Sequence, residues 1–512
     1  MYTYQPLPAI AQHGPTPPYT RVLYLDPGNG DDEPFCGRLD VVNVESAPPF
    51  EALSYTWGAP GPTGYIWIDG NPLPLGANLE NALASLRLRN EVRCLWIDAL
   101  CIDQSNMEER SRQVQYMRLV YQHCSRVVVW LGSKTGGADL AFQTARSLID
   151  ISNLMQEAGE QSVNNPGERI NEEIINDMID NTLSGLPSGS LHCLNDLFNR
   201  EYFCRSWVVQ EIIAGPKPLA KCDELEMSFL DLVSILFFIG KRRQEINMGP
   251  HLHVWYDIYS ATQPGSVIRM TDIKGSLGPI VDVLEQMRDF KATDPRDKVY
   301  AVIGVCDEGI HPILSLTHNY VNSHSPSLQA GIPDALIPDY NKDVATVYID
   351  LARYLIKKAP MTLDVLSYIQ HVKEPEPSSE CPSWVPKWFE PRTYQKFRGM
   401  GNYQAGFCKT PVLSGLFQSQ TLRALAHPRH LVLEGFQVGI VDKVSDALLF
   451  GSSGEEKIGA IMGAWLQLFS FPMVPRPGYS YRAGGPLDVA FCKAITAGPT
   501  GMRFGALLTE AS

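Results

Sequence analysis

The chain of 512 residues lacks the usual signs of an extracellular or metal-stapled protein. Its eleven cysteines include no CxxC pair, and its first residues, MYTYQPLPAIAQHG, have neither a basic start nor an apolar core. A zinc ribbon, a disulfide scaffold and a secretory leader are thereby set aside, and the thiols read as reduced and mostly buried in a cytoplasmic protein. No apolar run is long enough to span a bilayer: the best, Leu230 to Gly240, is short and broken by Asp231 and Ser234. Cationic excess is also missing. With 43 Lys and Arg against 56 Asp and Glu the net charge is −13, which argues against a nucleic-acid or anionic-membrane binder. GxxxxGK[ST], GxSxG and HExxH are absent, and the stretch Gly132 to Gly137 carries no dinucleotide fingerprint. His251 and His253 have no acidic or Cys neighbour, and His427 and His430 flank a proline, so no metal site is indicated. No repeat of solenoid period is visible.

What remains is ordinary globular composition, 44% hydrophobic and 19% charged. Residues 1–45 read as an N-terminal arm with short strands at Val22 to Leu25 and Leu39 to Val44. Residues 46–215 read as an α/β domain. Phe50 to Thr56 is a strand, Tyr65 to Ile68 and Leu73 to Leu75 form a hairpin around Asp69-Gly70-Asn71, and Asn78 opens a helix. Cys94 to Ile97 is a short buried strand closed by Asp98. Ser105-Asn106-Met107-Glu108 matches a capping box, with Ser105 as the cap. Behind it Val114, Met117 and Tyr121 make a helical stripe, with Arg110, Arg112 and Arg118 on the surface. Arg126 to Leu131 is the next strand, so strand, helix and strand imply a right-handed parallel crossover and a parallel sheet flanked by helices. Ala138 to Glu157, Leu191 to Phe198 and Arg205 to Ala214 read as helices, with a polar insertion at about 158–190. Residues 216–372 read as mainly helical, including Val344 to Lys358. Residues 373–512 read as a mixed α+β C-terminal region, strand-like at Leu431 to Phe436 and Gly439 to Val444.

Four stretches could carry chemistry. Asp98-Ala99-Leu100-Cys101-Ile102-Asp103 follows a strand and precedes a helix, where open α/β sheets bind ligands. The alternative has Asp98 and Asp103 capping loop N–H groups and Cys101 as packing. In Arg205-Ser206-Trp207-Val208-Val209-Gln210-Glu211 a helix sets Trp207 and Glu211 one turn apart, and a carboxylate beside an indole is desolvated and tunable. The alternative is a core Trp with Glu211 paired to Arg205 or another base. Ser54-Tyr55-Thr56-Trp57-Gly58 ends a strand with groups suited to a nucleotide or sugar, or simply packs there. Asp294-Pro295-Arg296-Asp297-Lys298 reads first as a capped helix start with a salt bridge.

These stretches together resemble the fungal heterokaryon-incompatibility (HET) domain family. The resemblance runs through Phe50-Glu-Ala-Leu-Ser-Tyr-Thr-Trp-Gly58, Asn78-Leu-Glu-Asn-Ala-Leu83 and Leu95-Trp-Ile-Asp-Ala-Leu-Cys-Ile-Asp-Gln104. It continues through Glu109-Arg110, Gln113-Val114, Met117, Tyr121 and Val129-Trp-Leu-Gly132 to Arg205-Ser-Trp-Val-Val-Gln-Glu211. Tyr4, Pro6-Leu7, the DPRDKVYA run from Asp294 to Ala301 and Pro338-Asp339-Tyr340 also fit the layout of such proteins. Cys222-Asp223 stands where they often have Cys-Gly. The resemblance implies a role in non-self recognition between hyphae and in a cell-death reaction, with self-assembly or an incompatibility partner protein.

The region is also similar, more distantly, to TIR domains. These start a helix with Trp-Cys-x-x-Glu, and in NAD-cleaving members that Glu is catalytic. Trp207-Val-Val-Gln-Glu211 has the same spacing, with Val208 in place of the Cys. The likeness implies Glu211 as the catalytic residue and NAD as substrate, with no resident cofactor. Tyr55, Trp57, Gly58, Asp98, Cys101, Asp103, Arg205 and Trp207 would then form the substrate pocket. Against this enzyme stand a non-catalytic death-signalling adaptor and a diverged protein without death activity.

Overall fold

A computed structural model describes residues 1–8, 18–28, 33–150, 177, 181–182, 184–241, 278–307, 333–358, 364–369, 381–390, 480–481 and 485–486. The histidines at 251, 253, 427 and 430, the strands expected at 431–436 and 439–444, and most of the insertion at 158–190 lie outside these residues. The chain divides into two units, Met1–Val347 and Tyr348–Ser512.

The first unit is built on a mixed sheet of nine strands. They are β1 (Tyr19–Leu25), β2 (Phe35–Asn43), β3 (Glu51–Ser54), β4 (Gly64–Ile68), β5 (Asn71–Leu75), β6 (Arg93–Trp96), β7 (Arg126–Trp130), β8 (Leu219–Cys222) and β9 (Leu225–Ser228). Their spatial order is β5-β4-β2-β1-β6-β3-β7-β8-β9. The helices are α1 (Ala77–Leu86), α2 (Asp98–Cys101), α3 (Met107–His123), α4 (residues 138–150), α5 (Ser190–Phe198), α6 (Ser206–Ala214), α7 (Phe229–Lys241), α8 (Ile280–Gln286), α9 (Asp297–Ile303) and α10 (Val344–Lys358).

The expected parallel pairing holds at the centre of the sheet and between β2 and β4. β6, β3, β7 and β8 run parallel, while β1 pairs antiparallel with both β2 and β6, β4 with β5, and β8 with β9. β4–β5 and β8–β9 are antiparallel because turns too short for a crossover join them, whereas β2 and β4 run parallel. Asp69 (φ 49°) and Gly70 (φ 76°) turn β4 into β5, and Asp223 (φ 48°) turns β8 into β9. That second hairpin lies at the start of the stretch read as mainly helical. β6 and β7, the two strands of the expected crossover, are separated by β3, which pairs Ala52 with both Trp96 and Val127.

In chain order the parallel strands are arranged 2-1-3-4, the doubly wound pattern in which a crevice opens where the order reverses. Val127, Val128, Val129 and Trp130 of β7 are all fully buried, as expected for a strand covered on both faces. α1 packs through Leu79, Ala82, Leu83 and Leu86 at helical spacing. α3 packs on α6, and α6 on α9.

Two local expectations change. The cap of α3 is Asn106, whose side chain accepts from the N–H groups of Glu108 and Glu109, whereas the Ser105 hydroxyl donates to Asp103 at 2.6 Å. Arg118 is not on the surface: it is 2% exposed and donates to the Gly304 carbonyl. The 17-residue helix turns that side chain toward α9, and carbonyl contact compensates the buried charge.

A buried ion pair secures the loop after β6. Arg21 of β1 donates to both Glu109 oxygens, at 2.6 and 3.0 Å, and to the carbonyls of Gln5 and Cys101. Glu109 also accepts from the Asp103 N–H at 2.8 Å. In the second unit Tyr348 packs edge-on against Phe389, and Trp388 lies fully buried near Tyr368.

Removing one partner of a buried pair leaves the other charge stranded. Glu109→Ala should therefore cost about 3–5 kcal/mol, read as a lower denaturant midpoint. Arg38→Ala, in the exposed Arg38–Asp40 pair, should change stability by less than about 1 kcal/mol.

Candidate functional site

The carboxyl ends of β3 and β6 and the start of α6 converge on one guanidinium. After Ser54 the chain continues through Tyr55 and Thr56 to Trp57, and Gly58 turns it away with φ 79°. This left-handed conformation favours glycine over any residue with a Cβ. β6 passes into α2, whose first residue is Asp98. Arg205 immediately precedes α6, and Glu211 sits inside that helix.

Arg205 donates to the Tyr55 carbonyl, lies 3.5 Å from Asp98 Oδ2 and 3.6 Å from Glu211 Oε1. Asp98 is held from three further sides. The Trp57 indole N–H donates to it at 2.9 Å, the Ala99 N–H at 2.7 Å, and the Tyr55 side chain lies in hydrogen-bond contact. Glu211 is 1% exposed and accepts from the Ser54 hydroxyl, which is itself 2.8 Å from the Tyr202 hydroxyl. Burial pushes Glu211 up to about 7, against the opposing pull of Arg205 and Ser54. Burial works to lower Arg205, but Glu211 and Asp98 outweigh it and hold the guanidinium charged.

The same motifs supply the frame around this cluster. Glu51 bridges Arg93 at 2.6 Å and Arg126, tying β3 to both parallel neighbours. Burial opposes the charge on Glu51, yet the two arginines hold it below the ordinary carboxylate range. Asn78 accepts from the Trp130 indole at 2.9 Å and donates to the Thr56 carbonyl at 2.6 Å, fixing the loop that carries Trp57.

Above the cluster lies a cleft of about 850 Å³. Of the residues expected at the site, Trp57, Gly58, Asp98, Arg205 and Trp207 line it. Tyr55, Cys101, Asp103 and Glu211 do not. Tyr55 and Glu211 are buried behind Arg205 and Asp98. Cys101 is fully buried, and burial pushes its thiol up to about 12. Asp103 serves the loop, accepting from the N–H and hydroxyl of Ser105.

Sequence reasoning missed the opposite wall, which comes from Lys291 to Asp297 and Tyr340. The run Asp294-Pro295-Arg296-Asp297 is, as first read, a helix start with a salt bridge: Asp294 accepts from Arg296 Nε at 2.9 Å and Nη2 at 2.7 Å. It also forms this wall. The carboxylate that the Trp207 side chain bonds is Asp297, not Glu211, and Asp297 also accepts from the Tyr340 hydroxyl at 2.5 Å. Lys291 is clamped through its backbone: its N–H donates to the Cys204 carbonyl at 2.5 Å, and its own carbonyl accepts from the Ser206 N–H at 2.9 Å. Only the isolated chemistry of DPRDK hinted at this wall, because its contact with α6 joins segments far apart in sequence.

Among the described residues no group of His, Cys, Asp and Glu could hold a metal ion. Among them, too, no helix is long and apolar enough to cross a membrane.

Glu211 makes the site pH-sensitive. Between about pH 4.5 and 7 the folded chain keeps a proton at Glu211 that the unfolded chain has released. The group's contribution to stability therefore falls as pH rises through that window and is fully lost above it. Glu211→Gln has no such slope. Its thermal midpoint, relative to wild type, should rise between about pH 4.5 and 7. A difference constant with pH would contradict this protonation.

Comparison with known proteins follows the same residues. Residues 50–211 match the family described as heterokaryon incompatibility protein (HET). Heterokaryon incompatibility protein 6, OR allele, of Neurospora crassa is 24% identical over 478 residues, covering 83% of this chain. The chain spans 64% of that relative's length. No solved structure matches the chain. The matched segment begins at Phe50, before β3, and ends at Glu211 itself, so the cluster around Arg205 is built wholly from residues that are similar to the HET family.

Proposed function

We propose that the chain acts in fungal heterokaryon incompatibility, and that its cleft binds and cleaves NAD in a TIR-like site. The observation that carries the reading is the placement of Asp98 and Arg205 on the floor of an 850 Å³ cleft, at the carboxyl ends of parallel strands, with Glu211 directly behind Arg205. The family match and the Neurospora relative support the biological role.

In this reading Trp57, 46% exposed at the cleft, stacks on the nicotinamide ring. The bond from nicotinamide to ribose breaks, nicotinamide leaves with the bonding pair, and the ribose carries a cation-like charge. Glu211 is the catalytic carboxylate that stabilises this charge, and Asp98 faces the ribose from the cleft floor. Water then adds to the anomeric carbon and releases a proton, giving ADP-ribose. Glu211 reaches the substrate when Arg205 turns from it toward the ligand.

A second reading is favoured by one fact: Glu211 is 1% exposed and does not line the cleft. In that reading the cluster is structural, and the domain is a death-signalling adaptor that assembles with itself or with a partner protein.

The two readings part on one experiment. Wild type, Glu211→Gln and Asp98→Asn are expressed in a fungal host, with NAD and viability followed over time. NAD should fall before death with wild type and stay level with Glu211→Gln, while circular dichroism shows both folded. Death with NAD intact supports the adaptor and overturns the enzyme.

A further inference from the structure

The cleft is walled on one side by residues outside the family match, and that wall carries cations. Arg110, from the matched segment, and Lys291 and Arg296, from beyond it, all line the cleft together with Tyr340. Their charges are used differently. Arg296 is saturated: it holds Asp294 through two nitrogens and donates to the carbonyls of Tyr340 and Lys342, both at 2.7 Å. It is a strut. Arg110 lies 3.8 Å from the centre of the Tyr340 ring and only 3.9 Å from Asp294, whose oxygens are already engaged by Arg296. A guanidinium stacked on an aromatic ring keeps its N–H donors at its rim. Lys291 has no carboxylate within ion-pair distance among the described residues, although Glu201 stands on the same cleft.

Two of the remaining cleft carboxylates are engaged elsewhere, which leaves Glu201. Asp98 is taken by Arg205 and Trp57. Burial pushes Asp297 up, toward its neutral form, where it accepts from Tyr340 and Trp207. In a chain of net charge −13, Lys291 and Arg110 thus present cationic donors to a cavity that aromatic side chains also line. The fixed backbone of Lys291 supports a specific contact, since its N–H and carbonyl are both bonded to the segment that carries Arg205.

We propose that Lys291 and Arg110 form a phosphate subsite, which takes the diphosphate of a nucleotide whose other end lies against Trp57 and Asp98. This deepens the reading of the cleft as a nucleotide site and requires no cleavage. It assigns a binding role to residues beyond 211, so the ligand site is incomplete within the matched segment.

The test is binding of ADP and of adenosine to the purified 512-residue chain by isothermal titration calorimetry. ADP should bind more tightly than adenosine. Lys291→Met should weaken ADP by about tenfold, the loss of one charge-assisted contact, and leave adenosine unchanged. Lys291→Arg should restore most of the affinity. Lys291 is exposed and has no carboxylate partner among the described residues, so an unchanged thermal midpoint is expected for both variants. Equal ADP affinity in wild type and Lys291→Met, or no ADP binding at all, overturns the subsite. NAD loss in cells tests cleavage separately: a chain that binds ADP through Lys291 but spares NAD keeps the subsite and loses the enzyme.

Discussion

Arg205 is the group on which the rest of the site depends. Arg205 is largely shielded from solvent, and a desolvated guanidinium is costly unless its charge and its donors are met. Here they are met by Glu211 from within α6, Asp98 from the end of β6, and the Tyr55 carbonyl from the end of β3. These groups come from three segments, so the cation can be satisfied only when the parallel centre of the sheet is in register. Much of the surrounding polar structure serves that register. Glu51 joins three adjacent strands through two arginines, and Asn78 links the end of β7 to the loop after β3. The HET motifs are thus largely one connected hydrogen-bond network, read off as separate words along the chain.

The elements that were legible are those whose signal is local. The Asp-Gly turn between β4 and β5, the apolar run of β7 and the stripe of α1 each follow from spacing within a few residues. The edges of the sheet were less legible. β1 and β2 read as a terminal arm, yet Val22 and Leu23 are fully buried and β1 sits between β2 and β6. Nothing in a strand's own sequence says which partner it will find. The capping residue of α3 slipped by one, from Ser105 to Asn106, because both can cap and only the chain path decides.

The site divided in the same way. Sequence left the partner of Glu211 open, and in the structure Arg205 lies 3.6 Å from its Oε1. Helical spacing put Trp207 and Glu211 on one face, but that face splits. Trp207 borders the cleft beside Asp297, while Glu211 lies beneath it against Ser54. The periodicity of one helix cannot say where a cavity begins. The second wall of the cleft was hidden because the run around Asp294 lies about ninety residues after Arg205 and carries an adequate local explanation of its own.

The backbone bridge between Arg205 and Lys291 has a thermodynamic consequence. It makes the far wall and the buried cation parts of a single lever. A ligand that draws the wall inward must also strain or relax the hold on Arg205, and so on Asp98 and Glu211. Linkage makes this reciprocal. Any protein that grips residues 291–297 or the neighbouring Tyr340 loop would retune the carboxylates without touching them, and occupancy of the cleft would be felt at that outer surface.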